Sequence, residues 1–528
     1  MPRPGFVLEV DRSTPPALIW HGEGFRLERL PAERSRIVYA PEPLAPLPDP
    51  DAAIRAALLN PLGDRPPLPE LLRPGMRLTI AFDDLSLPLP PMRRPDNRQR
   101  VIEAVLDLAA DAGVDDVVLI AALGLHRRMT EAELRHALGD RVYDAFAPSG
   151  KLLQHDAEDP KGLVMLGKTD LCEDVEVNRR VAESDLLVYV NINLVAMDGG
   201  HKSTSTGLMS YKSVRHHHNV RTLQHSRSLM DRPHSELHSS AWRIGRLLNQ
   251  HVKVFQIETT LNNDAFGSQL AFLQKREWEW GLRDRASFMA ASRGVELLSP
   301  RARRSLFQSV LAPHQMTSVH AGEVEVVHEA TIANLHRQQV VDVEGQSDVV
   351  IFGLPHVGPY NVGSIMNPLL VMCLGLGYFF NMYIGKPLVR PGGVVILSHP
   401  TPWAFHPVHH PSYIDFFEEV LASTTDPAEI EKTYEERFAT DDWYRHLYRT
   451  SYAYHGVHPF YMWYWGAHAL EHASSTVIVG GNRRAVRRMG FRPASTLADA
   501  LEMAEDQVGR DPTITYFRCP PLMLARVE

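Results

Sequence analysis

The sequence predicts an α/β protein built as two units whose mainly parallel sheets face each other across an active-site cleft. Three observations carry that prediction. Short buried-strand patterns alternate with helical ones along most of the chain, the order that makes parallel sheets. Polar clusters follow three of these strands directly, and in doubly wound sheets ligands sit outside the carboxyl ends of strands. The pattern also restarts near residues 335–347. That divides the chain into an N-terminal cofactor-binding unit, 1–340, and a C-terminal unit, 341–528.

Residues 1–50 are Pro-rich and open with a short strand pattern at 6–10. A short amphipathic helix is predicted over 51–59, a turn-rich connection over 66–74 and a buried strand over 77–82. Residues 98–112 carry Val101, Ile102, Val105, Leu106 and Ala109 at helical spacing and stop at Gly113. The next strand is 117–122. Thr130 with Glu133 three residues on reads as a capping box for a helix that Gly139 ends. Helix 178–184 leads into strand 185–191, and helix 240–250 into strand 252–258. A helical insertion occupies about 264–318, and a helix follows at 324–335. The second unit opens on strand 348–353, continues through an apolar helix at 368–380 to strand 394–397, and closes with strand 476–479, helix 497–508 and strand 513–517. Residues 399–470 are aromatic- and His-rich and take no assignment.

Composition narrows the function classes. Of 528 residues, 44% are hydrophobic and 22% charged, an ordinary globular balance. The net charge of −8 lacks the clustered basic surface of a nucleic-acid binder. Three widely spaced cysteines exclude a disulfide framework or a Cys-rich zinc site and fit a reducing cytoplasm. The first residues hold no apolar core of a signal peptide. The apolar run 368–380 is too short for a bilayer, which needs roughly 20 residues, so no membrane partner is expected.

The chemistry-bearing residues concentrate after strands 77–82, 117–122 and 185–191. Asp83-Asp84-Leu85-Ser86 could bind ribose, bind phosphate through Ser86, or orient an imidazole; an Asx turn is the structural alternative. His126 could serve as general acid/base, and Arg127 or Arg128 could clamp a carboxylate; solvated charges at a helix start are the alternative. Gly199-Gly200-His201-Lys202-Ser203 combines backbone that a ligand can approach closely with an amine that can act as covalent handle or phosphate partner. Of His216-His217-His218, adjacent imidazoles cannot all face one centre, so one is expected to be a ligand. His155-Asp156 could orient another group or form a turn. His468 and His472 have metal-pair spacing but no evident third ligand. No G-x-G-x-x-G follows the first strand, which argues against a nicotinamide dehydrogenase.

Together these segments resemble the lactate racemase family. The likeness rests on AALLNPLGDRPPLPELLRPGMRLTIAFDD, ALGLHRRMTEAELRHALG, NRRVAESDLLVYV and GGHKSTSTGLMSYKSVRHHHN in the first half. In the second half it rests on SDVVIFGLP, LVRPGGVVIL and FRPASTLADALEMA. The resemblance implies an isomerase that racemises or epimerises a 2-hydroxy acid or related secondary alcohol. It implies a nickel-pincer nucleotide, built by dedicated host enzymes, that exchanges hydride with the carbinol carbon. It places the covalent attachment on Lys202, nickel ligation on His218 and acid/base work on His126. Asp84, Ser86, Gly199 and Gly200 fall around the nucleotide. Three departures stand out. The family's second catalytic histidine has no counterpart in 191–197, its carboxylate-binding arginine is Leu87, and its C-terminal lysine is His356. His201 or His356 could supply the second base, and Arg127 or Arg94 the carboxylate contact. The departures point to a substrate other than lactate. The alternative is a non-catalytic or single-base redox member that binds a metal or nucleotide.

Overall fold

The computed structural model describes residues 6–86 and 91–528. Its first sheet runs in the order Met316–Gly322, Val254–Leu261, Leu186–Asn193, Arg77–Asp83, Asp116–Ala122, Leu152–Gln154. Every pairing is parallel except that of the Met316–Gly322 edge. The central strands are buried on both faces, as parallel sheets must be. In Arg77–Asp83, Leu78, Ile80 and Phe82 alternate onto the face that packs Val101, Ile102 and Val105 of helix Asn97–Asp111. Asp96 caps that helix by accepting from the Arg98 N–H, and Gly113 leaves it at φ +67°.

The second sheet is larger, in the order Val7–Glu9, Ser35–Tyr39, Ile514–Arg518, Ser347–Pro355, Val389–Ser398, Ser475–Val479, Arg492–Ala494. Its central pairings are parallel. The hairpin of Ala17–Gly22 and Gly24–Glu28 joins at the end of Ser347–Pro355. The α/β class with mainly parallel sheets therefore holds.

Sheet membership departs from the sequence division in one respect. Strands within 7–39 were expected in the N-terminal unit but are hydrogen-bonded into the second sheet. Two further boundaries move. The predicted insertion 264–318 is helical over Leu282–Leu297 and Pro300–Ser309, but Met316–Gly322 is an edge strand of the first sheet. Its aromatic residues pack onto the early hairpin, with Phe272, Trp280 and Phe288 against Leu18 and Trp20. Gly139, at φ +78°, kinks the helix without ending it, and the helix resumes to Phe146.

The apolar run is buried throughout, as helix Pro368–Met372 and a wider π-type turn Cys373–Phe379. Among the described residues no helix is long and apolar enough to cross a membrane. The unassigned His-rich region forms short helices, of which His458–Tyr464 is buried at every residue. This region closes on the first unit. The Tyr448 hydroxyl donates to the Gly124 carbonyl at 2.7 Å, and the His455 N–H to that of Leu125 at 3.1 Å.

Candidate active site

Three strand ends of the first sheet meet at one cleft, lined by Asp83, Asp84, Ser86, His126, Lys202 and Thr206 among others. Asp83 ends its strand as a buried anchor. Its Oδ2 accepts from Asn191 Nδ2 and the Ile192 N–H, each at 2.7 Å, tying two adjacent strand ends. Burial raises its carboxyl to about 7.

Asp84 turns to the cleft. Its Oδ2 lies 2.8 Å from His126 Nδ1, while its Oδ1 accepts from the Ser86 N–H at 2.9 Å. Burial opposes its ionisation, but the His126 imidazole and the Ser86 donors outweigh burial and hold the carboxyl below its usual range. Below this loop, Arg98 donates to the carbonyls of Asp83 and Asp84 and pairs with Asp96 at 2.8 Å, so the loop geometry is braced from beneath. With Nδ1–H given to a carboxylate, His126 keeps an Nε2 lone pair, the form of a general base.

The Gly-Gly turn has a visible reason. Gly199 is at φ +92°, and a Cβ there would lie 2.3 Å from Asn193 Nδ2 and 2.7 Å from Glu258 Oε1. The Gly200 N–H donates to that Oε1 at 2.6 Å, and Glu258 is itself paired with His328 at 3.2 Å. Only glycine lets helix Gly200–Gly207 start this close to a buried pair. Lys202 then projects into the cleft with Asp198 Oδ1 at 3.8 Å, too far for a hydrogen bond. Thr206 Oγ1 is buried there without a partner among the described residues.

The three histidines take different partners. His216 faces Asp174 at 3.2 Å. His217 Nε2–H donates to the Ser205 carbonyl at 3.1 Å, so its Nδ1 is an acceptor, and it receives His218 Nδ1–H at 2.7 Å. This relay leaves His218 Nε2 with its lone pair, as a metal ligand requires. Burial, then the neighbouring His217 and Lys202, push the His218 pKa far down, so it stays neutral. Its ring stacks on Trp465 at 5.1 Å and lies against Tyr461.

Four expected site residues fall elsewhere. His201 follows its helix away from Lys202; it is buried against Trp242 with Nε2 at 3.2 Å from Glu325, and burial lowers its pKa to about 4. Residues adjacent on a helix point about 100° apart, so His201 and Lys202 cannot share the cleft. Arg127 is buried and committed to Glu133 Oε1 and Oε2 at 2.6 and 3.0 Å and to the Val362 carbonyl. It supports a helix start and the join between units, leaving no free fork for a carboxylate. Arg94 is exposed and pairs with Asp140 at 3.2 Å. His356 lies beside Glu23 at 3.7 Å, with its N–H on the Gly22 carbonyl. Leu87 lies outside the described residues. Neither His155 nor the His468/His472 pair builds a site: their ring nitrogens serve Met209 O, the Tyr383 hydroxyl and Val389 O.

One residue packed beside His126 escaped the sequence reading. His458 comes from the C-terminal unit, and its ring centroid lies 5.3 Å from that of His126. The Tyr413 hydroxyl sits 2.5 Å from its Nδ1, and its Nε2 is buried with no partner among the described residues. Tyr360 and Tyr454 complete an aromatic wall over His126, at 5.2 and 6.2 Å. No motif or spacing marked His458, which lies in the stretch that resisted assignment.

Known proteins agree with this architecture. Residues 21–231 match the family described as lactate racemase N-terminal domain. Over 174 residues the chain is 26% identical to lactate racemase of Lactiplantibacillus plantarum, a match covering 31% of this chain and 37% of that enzyme. The chain thus aligns with well under two thirds of that relative's length. The lactate racemase apoprotein from Thermoanaerobacterium thermosaccharolyticum superposes with a TM-score of 0.63, covering 97% of this chain and 100% of the other at 17% identity. A Thermotoga maritima protein superposes with a TM-score of 0.51, covering 93% of this chain and 100% of that one at 14% identity. Within this chain, residues 21–231 thus carry a lactate racemase N-terminal domain, on a fold shared with the lactate racemase apoprotein.

Proposed function

We propose that this protein is an isomerase that racemises or epimerises a hydroxy acid or related secondary alcohol other than lactate, with a nickel-pincer nucleotide held covalently at Lys202. The observation that carries the reading is the convergence of a carboxylate-oriented imidazole, an amine without a hydrogen-bonded acid, and a neutral histidine with a directed lone pair. These are His126, Lys202 and His218.

The residues suit that group. Lys202 offers the attachment point, His218 Nε2 a nitrogen ligand, and Thr206 Oγ1 a buried hydroxyl awaiting a partner. Among the described residues no three His, Cys, Asp or Glu side chains converge as a metal site. A lone histidine ligand suits a metal that arrives with its other ligands on a cofactor. The cleft encloses about 90 Å³, less than a nucleotide-sized ligand occupies. Loading therefore requires the aromatic wall of the second unit to draw back, a closure motion that would also exclude water.

When bound, the cofactor supplies reversible hydride acceptance at the carbinol carbon. The chain supplies proton transfer and orientation. His126 Nε2 takes the substrate hydroxyl proton while Asp84 stabilises the imidazolium that results. His458 Nε2, buried and unpartnered beside His126, serves as the second proton carrier, with Tyr413 fixing its ring. The family position for a second histidine is empty here, and His201 and His356 lie elsewhere, so His458 fills a role the first unit leaves open. Arg127 and Arg94 are paired away from the cleft, which supports a substrate whose recognition does not depend on either as a carboxylate clamp.

The test is intact mass and metal analysis of protein made in cells carrying the cofactor-building enzymes. A mass excess mapping to Lys202 with near-stoichiometric nickel is expected, and Lys202→Ala should lose both. His458→Gln should keep the adduct and the nickel while lowering turnover of a chiral hydroxy-acid panel by about 10²–10⁴-fold. Unmodified protein beside a loaded control would overturn the cofactor assignment and favour a non-catalytic member. Unchanged turnover in His458→Gln would remove His458 from the mechanism.

A further inference from the structure

A second cavity, unlike the polar cleft, lies where the helical insertion covers the early hairpin. It holds about 530 Å³ and is walled almost wholly by apolar side chains, among them Trp20, Phe25, Phe266, Val295, Phe307 and Phe379. Well-packed interiors tolerate few voids larger than a water molecule, and 300–1,000 Å³ is the usual range of small-molecule sites. Leu298 and Leu306 both line this cavity and stand 36% and 47% exposed, so they mark its mouth.

The chemistry at the mouth is cationic. Arg303 and Arg304 lie on Pro300–Ser309 within one turn of Leu306 and Phe307. Arg303 approaches Glu23 at 3.7 Å, and Arg304 has no ion-pair partner at contact distance among the described residues. Residues 282–309 hold six arginines against two carboxylates, in a chain of net charge −8. An apolar chamber beside a pair of arginines suits an anionic amphiphile.

We propose that this cavity binds a single-chain anionic amphiphile, a saturated monocarboxylate of fatty-acid type, with its chain inside and its carboxylate on Arg303 and Arg304. The site lies next to the cleft along the chain: Val357 lines the cavity, and Tyr360, three residues on, lies against the His126 ring. The proposal concerns binding and stands whether or not the cleft carries the chemistry proposed above.

Calorimetric titration of the full-length protein with octanoate, decanoate, dodecanoate and tetradecanoate tests it. Burial of methylenes should tighten binding by about fourfold per carbon, until the chamber is full. Dodecanol, lacking charge, should bind at least tenfold more weakly than dodecanoate, and Arg303→Gln with Arg304→Gln should erase that difference. Gly294 lines the chamber, and a Cβ there meets nothing within 4 Å. Gly294→Leu should therefore fold, keep or raise the melting temperature because helix propensity improves, and lose binding. Dodecanoate binding with no chain-length dependence, or with full affinity in Gly294→Leu, would overturn the site. So would absence of binding to any free acid, including a result in which only phosphatidylglycerol vesicles capture the protein. If Gly294→Leu misfolds, the chain-length series on the unaltered protein decides.

Discussion

Removing the Glu277 carboxylate should destabilise the second unit by about 3–5 kcal/mol, the cost of stranding a buried charge. Glu277 and Arg518 are 4% and 2% exposed and pair at 2.9 Å. Oε1 also accepts from the Leu18 N–H at 3.1 Å, and Oε2 from the Tyr39 hydroxyl at 2.6 Å. One carboxylate thus ties two N-terminal strands and a C-terminal strand to the insertion. Glu277→Ala deletes an ion pair and two further hydrogen bonds to the same carboxylate, each worth about 1–2 kcal/mol net. Among the described residues Arg518 then keeps only the carbonyls of Leu273 and Lys275 as hydrogen-bond acceptors. Urea unfolding followed by circular dichroism gives the difference directly. The double variant Glu277→Leu, Arg518→Met removes the stranded charge and should recover at least about 2 kcal/mol of the loss. A cost below about 1 kcal/mol, the worth of an exposed pair, or a double variant no better than the single one, would refute the argument. It would also question the docking of residues 17–39 on the second sheet.

Two further outcomes are expected. His217→Phe breaks the relay that holds His218 in its Nδ1–H form, so nickel retention after dialysis of the loaded protein should fall by about 10–100-fold; unchanged retention would show that the relay is incidental. Stability should also fall with acid. Burial holds His155, His201, His217 and His314 at about 4 in the folded protein, against 6.5 for the free side chain. Below pH 6.5 the unfolded chain takes up protons that these imidazoles refuse when folded. Stability is therefore full above about 6.5, declines as pH falls towards 4 and levels beneath, with about 3 kcal/mol at stake per site. Thermal melts at pH 7, 5.5 and 4.5 measure this, and a melting temperature that rises with acidification would contradict it.

What the sequence discloses is local, and what it conceals is long-range. Strand 77–82, helix 98–112 and the strand-end clusters were legible because period, caps and turns are written within a dozen residues. The pairing of Ser35–Tyr39 with Ile514–Arg518 joins segments almost a chain length apart, and nothing in either strand names its partner. The site divides the same way. Asp84, His126 and Lys202 sit at strand ends whose loops announce them, whereas Arg127 looked free until Glu133, six residues on, was seen to occupy its fork. His201 could have been set aside from sequence alone, since helical neighbours 201 and 202 diverge by about 100°. His458 could not. It lies in a run dense with histidine and tyrosine, where composition gives every imidazole the same claim. Only the closure of one unit on the other selects the one that meets His126. In the proposed mechanism a proton carrier borne by the second unit ties turnover to that closure, so the groups least visible in the sequence are the ones that depend on both halves of the fold.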